Sequence, residues 1–285
     1  MDALLKQVIT PQSFAELFSE WNRHPEAVLY AGGTSFGKQE KNILNLPPVL
    51  LYLDMIPELN QITRSEHYLE IGSMTKLNKL IGLGKVVPKV LRICLENIAG
   101  VQVRNIATIG GNICSVSLPV NSLEAPRLFD ASAPLTALDA QYELRNANNV
   151  RWVSASRFHS TEEKTALGRQ ELLTRIRLPL HQWDYAVYKK LRSNKYINGD
   201  VLVFLAKTPK NILSDIRVVY KAGGILRNKN GENILNGKLL PLSRKTADDF
   251  IENWNEFLAK RHEISKFSEN IIINSIWENI YNLSE

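Results

Sequence analysis

Cysteine is scarce in this sequence. Its 285 residues carry two, Cys94 and Cys114. They form no C-x-x-C and have no histidine at metal-ligand spacing, which argues against a zinc or iron–sulfur centre held by this chain. Two thiols also fit a reducing compartment. Long apolar runs are lacking as well: no stretch approaches the roughly 18 residues of a membrane span. The opening, MDALLKQVITPQSF, is too short and too polar for a secretory signal. The expectation is a cytoplasmic protein with no membrane partner. Nor does charge of one sign dominate. The net charge is +6, from 35 basic and 29 acidic residues, and the densest basic stretch, YKKLRSNKY (188–196), is broken by apolar side chains. That pattern reads as a solvated surface, so no nucleic-acid partner is expected. The five histidines, His24, His67, His159, His181 and His262, are scattered, and no nucleophile–base pair emerges.

What is present is an ordinary globular composition, 44% hydrophobic and 22% charged, on a chain with room for two or three domains. TPQSFAELFSEW (10–21) reads as a helix capped by Thr10, with Pro11 in its first turn and Phe14, Leu17, Phe18 and Trp21 on one face. AVLY (27–30) and VLLYLD (49–54) read as strands, giving the opening an α/β character. YLEIGS (68–73) is a further strand, and Thr75 is placed to cap a helix carrying Leu77, Leu80 and Ile81. PKVLRICLENIAG (88–100) reads as a helix opened by Pro88, with Cys94 in its core stripe and Gly100 as a left-handed cap. LTALDAQYELR (135–145) alternates as a strand, and ELLTRIRLP (171–179) is another. Beyond these, YAVYKKLR, DVLVFLAK and DIRVVYKA read as three successive strands of an antiparallel sheet. NKNGEN (228–233) reads as a loop, and two helical stretches follow. The change of texture places a boundary near residue 180.

Two glycine pairs stand out, in AGGTS (31–35) and TIGGN (108–112). A glycine backbone can approach a ligand closely and can take positive φ, and successive N–H groups in such a turn form an anion-binding nest. Thr34, Ser35, Thr108 and Asn112 add neutral hydrogen-bonding groups beside them. Neither pair is a P-loop, since no Gly-Lys-Ser/Thr follows. Neither is a dinucleotide-binding fingerprint of the Rossmann kind, since no third glycine has the spacing. Spacing alone allows either two tight turns or two loops that hold a phosphate group.

The series AGGTS, LYLDMIPELNQI (51–62), LEIGSMTKLNKL (69–80), VQVRNIATIGGNICSVS (101–117), PLTALDA (134–140) and ELLTRIRLP resembles, in order, the FAD-binding or medium subunit of the xanthine dehydrogenase and carbon monoxide dehydrogenase (molybdenum hydroxylase) family. The resemblance runs from about residue 10 to about residue 240, and RNIATIGGN is its most specific motif. It implies an α+β fold. A two-subdomain FAD-binding module of the PCMH type (1–180, subdomains about 1–55 and 56–180) would precede a C-terminal flavoprotein domain (181–285) with a three-stranded antiparallel sheet and helices.

The same resemblance implies a cofactor set. Ala31, Gly32, Gly33, Thr34 and Ser35 would wrap the FAD diphosphate from one side, and Thr108, Ile109, Gly110, Gly111 and Asn112 from the other. Ser117 and Ser122 follow in the same stretch. Leu172 matches a leucine against the isoalloxazine, and Lys189 a lysine near the ring. Two departures stand out: Ser35 where the family often has Asp, and Ser122 in place of a second Asp, with one extra residue before Pro119. Losing two carboxylates alters the hydrogen bonds to the ribityl and adenosine parts. The segment 36–48 matches poorly. The implied function is electron transfer, an FAD subunit taking electrons from a [2Fe-2S] partner subunit and passing them to NAD or another acceptor. Substrate oxidation would take place on a molybdenum-cofactor subunit. The alternative is a flavin-free relative kept as a scaffold for complex assembly. A stand-alone flavin enzyme is disfavoured by the lack of an acid–base pair near the glycine loops.

Overall fold

The computed structural model of the protein describes residues 7–34, 47–117, 127–128, 130–159, 165–191, 200–221, 224–261, 264 and 266–284. The chain opens with β1 (Gln7–Ile9), α1 (Phe14–Arg23), β2 (Val28–Tyr30) and β3 (Val49–Tyr52), and the three strands form a parallel sheet in the order β1-β3-β2. Helix α1 starts later than Thr10. Its cap is Ser13, whose hydroxyl accepts from the Glu16 amide, while Glu16 reaches back to the Gln12 amide at 2.7 Å. This reciprocal pair satisfies two N-terminal donors and outcompetes Thr10. Leu17, Phe18 and Trp21 pack on Leu51, Leu53, Ile56 and Leu59 in the first core.

The central region carries β4 (Ile62–Arg64), β5 (Tyr68–Gly72), α2 (Leu77–Gly82), α3 (Lys89–Glu96), α4 (Val101–Ile106), α5 (Ile109–Cys114), β6 (Val116–Ser117), β7 (Arg127–Leu128), α6 (Ser132–Ala137), β8 (Gln141–Arg145), β9 (Val150–Ser154), α7 (Ala155–Phe158) and β10 (Leu172–Pro179). Five of these strands make an antiparallel sheet in the order β4-β5-β10-β8-β9, and β6 and β7 pair as a short ribbon. Three readings of the sequence are corrected here. Thr75 does not cap α2. Residues 76 and 108 form an isolated bridge, so the chain stays extended until Leu77. Gly100 is not left-handed. Ala99 takes φ 46°, and Gly100 is extended at the start of α4. The segment 135–145 is not one strand. Its first residues complete α6, and Asp139 at φ 52° turns the chain into β8. All six residues of α6 are buried, so it has no polar face to reveal a helical period.

The C-terminal region holds β11 (Tyr185–Leu191), β12 (Asp200–Lys207), β13 (Asp215–Lys221), β14 (Ile225–Arg227), α8 (Lys229–Leu235), α9 (Arg244–Ala259) and α10 (Lys266–Ser284). The antiparallel sheet has four strands rather than three, because β14 pairs with β13. Residues 228–233 are not a loop. Asn228 caps α8 by accepting from the Gly231 amide at 3.1 Å. Both faces of this sheet are covered, which explains the unbroken apolar run of β12. Val201, Val203 and Leu205 join the central core with Cys94. Leu202, Phe204 and Ala206 face Phe250, Trp254 and Ile276 of the helices in a third core. Arg217 and Arg227 tie this sheet to the central region through Asp139, at 2.7 and 2.8 Å. Among the described residues no helix is long and apolar enough to cross a membrane.

Candidate functional site

The first glycine segment leaves β2 at the edge of the first core. Gly33 takes φ 68°, a conformation suited to glycine, and a Cβ there would meet the Tyr30 hydroxyl at 2.2 Å. Gly32 lies against the end of α4. Among the described residues, the backbone amides of Ala31, Gly32, Gly33 and Thr34 have no hydrogen-bond acceptor.

The second glycine segment is the first turn of α5, not a strand-to-strand turn. Arg104, in the preceding α4, donates to the carbonyls of Glu96, Ile98 and Ala99 at 2.9, 3.0 and 2.6 Å and so closes the end of α3. This is a cationic side chain at the C-terminal end of a helix. Thr108 then caps α5, its hydroxyl accepting from the Gly111 amide at 3.0 Å. Ile109 and Ile113, one turn apart, are buried in the central core. The amides of Ile109, Gly110 and Asn112 bond to the carbonyls of Thr75, Ser73 and Thr108. The expected nest of amides is therefore absent from this segment, whose N–H groups are used in holding the helix. What it offers instead is the small surface of Gly111 and the side chains of Thr108 and Asn112. Asn112 Oδ1 accepts from the Ala131 amide at 3.3 Å. Its Nδ2 has no acceptor among the described residues.

Between the two segments runs a cavity of about 680 Å³, within the range of small-molecule sites. Ala31, Gly32, Gly33, Thr34, Thr108, Gly110, Gly111 and Asn112 all line it, together with Leu172. Ile109 does not, because its side chain turns into the core. Leu172 packs in the first core and Leu173 in the central one, as successive strand residues leave on opposite faces. Both reach the cavity because it runs between those two cores. Ser35 and Ser122 fall outside the described residues, and Ser117 ends β6.

Lys189 is displaced from its expected place. It pairs with Glu278 of α10 at 2.5 Å on the outer side of β11 and does not line the cavity. Its neighbour Lys190 does, and bonds Asp130 Oδ2 at 2.7 Å. The period of a strand decides this, since adjacent residues face opposite ways. Sequence reasoning also missed Glu171, Asp130 and Lys221. Glu171 lines the cavity, and Arg151 grips both its oxygens at 2.7 Å. That fork holds the Glu171 carboxyl below its ordinary range, against the opposing effect of burial. Cys114 also lines the cavity, but burial pushes its thiol up to about 12, so it stays protonated. His159 is held neutral, its value lowered to about 3 by burial between Tyr142 and Phe158. The walls are otherwise apolar, with Leu29, Leu53, Met74, Leu77 and Val103 among them. A glycine-lined cleft with unsatisfied amides at one end and apolar walls with a lysine elsewhere can take an elongated ligand carrying a phosphate group and a planar ring.

Residues 5–181 match the family described as the FAD binding domain in molybdopterin dehydrogenase. Xanthine dehydrogenase 2 of Arabidopsis thaliana is 30% identical over 273 residues, which cover 88% of this chain and 18% of the plant protein. The chain spans a similar share, 17%, of Arabidopsis thaliana xanthine dehydrogenase 1. The carbon monoxide dehydrogenase medium chain of Hydrogenophaga pseudoflava is 31% identical over 221 residues, covering 75% of this chain and 73% of that one. A solved structure of carbon monoxide dehydrogenase from the same organism, lacking the Mo-pyranopterin moiety of its cofactor, superimposes with a TM-score of 0.79 at 24% identity, covering 100% of this chain and 98% of that one. The fold is thus shared. With the family match covering most of the glycine-lined cleft, the chain belongs to the FAD-binding domain family of the molybdopterin dehydrogenases.

Proposed function

We propose that this chain is the FAD-carrying electron-transfer subunit of a molybdenum hydroxylase complex. The observation that carries this reading is the cleft itself: unpaired amides at 31–34 face the α5 turn across a cavity of about 680 Å³ whose far walls are apolar. The amides of Ala31, Gly32, Gly33 and Thr34 would hold the diphosphate, and Ser35 is assigned there by motif alone. Gly110 and Gly111 would allow its close approach, and Thr108 and Asn112 would bond its oxygens or the adjoining chain. Ser117 and Ser122 remain assigned by motif alone. Leu172 and Leu173 would pack on the isoalloxazine, with Lys190, rather than Lys189, as the cation toward it.

Bound FAD supplies reversible two-electron chemistry. The chain's own part is to bind it, exclude water with the apolar walls, and set the local charge. A cation near the ring favours the reduced, anionic form. Residues 1–180 would form the FAD-binding unit and 181–285 a flavoprotein domain whose sheet closes the cleft through Lys190. The medium chain of Hydrogenophaga pseudoflava, matched over most of both chains, supports a separate subunit working beside a molybdenum-cofactor subunit and a [2Fe-2S] subunit. NAD or another acceptor would take the electrons. A cytoplasmic location fits the two free thiols, Cys94 and Cys114.

Cofactor extraction and chromatography after FAD reconstitution test the reading. Stoichiometric FAD, with FMN not retained, is expected. No flavin uptake would contradict it and favour the scaffold reading.

A further inference from the structure

Beside the cavity, two lysines share one carboxylate. Asp130 accepts from Lys190 on Oδ2 and from Lys221 on Oδ1, each at 2.7 Å. Asp130 and Lys190 line the cavity and Lys221 does not. The Lys221 side chain is 0% exposed and that of Asp130 is 4%. The three groups come from the turn before α6, from β11 and from β13, so only the folded chain brings them together. An ammonium this deeply buried is costly unless paired. Burial works against the charge of Lys221, and Asp130 opposes that effect. Among the described residues, the other ionisable groups beside this cluster, Cys94 and Tyr188, are neutral. Burial first, and then Asp130, raises the Cys94 thiol to about 12, and Tyr188 is pushed well above the usual phenol range by burial. Among the described residues, one carboxylate against two ammonium groups leaves one positive charge.

We propose that the buried Asp130–Lys221 pair sets the charge that Lys190 presents to the flavin. Lys221 cancels Asp130, so the Lys190 charge is left uncompensated toward the ring and favours its reduced, anionic form. Lys221 is thus a positioning residue that acts through Asp130. The inference rests on the reading that this cavity holds FAD.

The test is a dye-coupled reduction potential of the full chain reconstituted with FAD. Lys221→Met should lower the potential about as much as Lys190→Met, although only Lys190 lines the cavity. Adding Asp130→Asn to Lys221→Met removes the stranded carboxylate and should restore the wild-type potential. A merely structural role would not produce that recovery. An unchanged potential in Lys221→Met, or a double variant that stays low, overturns the proposal. Where Lys221→Met does not fold, the double variant carries the test: a wild-type potential is expected, and a fall overturns it. A wild-type chain that takes up no FAD overturns the cofactor reading and this one together. FAD bound with no potential shift in Lys221→Met overturns this one alone.

Discussion

A Cβ built on Gly32 would stand 2.1 Å from the carbonyl oxygen of Ile106. The loop after β2 therefore rests directly on the backbone of Ile106 and Ala107, the residues that lead into α5. Gly32→Ala has no flexible side chain to displace, only backbone. It should cost on the order of 2–3 kcal/mol, as strained and overpacked sites do. FAD affinity should fall with it. Thermal melts and a flavin titration check both, and a variant equal to wild type in each would show that the contact carries no weight.

Gly110 and Gly111 should respond differently. A Cβ on Gly110 would lie 2.7 Å from Ser73 Cβ and 2.8 Å from its carbonyl oxygen, so Gly110→Ala should lower the melting temperature. A Cβ on Gly111 would meet only the Thr108 hydroxyl, at 2.9 Å. Gly111 has no positive φ, so Gly111→Val acts by bulk at the cavity wall. It should leave a folded chain with FAD binding weakened at least about 10-fold, the equivalent of about 1.4 kcal/mol. Gly224 has nothing within 4 Å of its Cβ position, and Gly224→Val should leave FAD affinity unchanged. Equal flavin loss at 111 and 224 would contradict the assignment.

The Arg151–Glu171 fork makes a statement about pH. Its hydrogen bonds lower the folded-state value of Glu171 below the ordinary one. The pair's contribution is therefore fully present above the ordinary carboxylate value of about 4.3. It is lost as pH falls through the lowered folded value. Glu171→Gln should be less stable than wild type at pH 7, by about 1 kcal/mol given the half-exposed Arg151. The gap should narrow as the pH falls below 4. Denaturant melts across pH 3–7 measure it, and a gap that widens in acid would show the sign to be wrong.

Lys189 bonds an exposed Glu278 on the side of β11 away from the cavity. Lys189→Met should leave the flavin potential where it was and cost at most about 1 kcal/mol of stability. A lowered potential would return the flavin-facing role to this residue.

Strong local patterns were legible in the sequence. The stripe of α1, the core place of Cys94, the strand 171–179 and the central strands of the last sheet all follow from apolar spacing. What was hidden depended on contacts remote along the chain. Ser73 and Thr75 hold α5 by its amides, and nothing in TIGGN announces that. The lysine that lines the cavity is one position from the one the motif indicated, because YKKL leaves the choice to strand register. Lys221 reads as the end of an apolar strand, and its partner Asp130 lies 91 positions away. Helix α6, buried on every side, has no amphipathic signal to read.

The most direct measurement is a crystal structure of the chain with FAD bound. The diphosphate is expected between residues 31–34 and the α5 turn, and the isoalloxazine against Leu172 and Leu173 with Lys190 at its edge. Flavin density outside this cavity, or a ring lying beside Lys189 and Glu278, would contradict this placement.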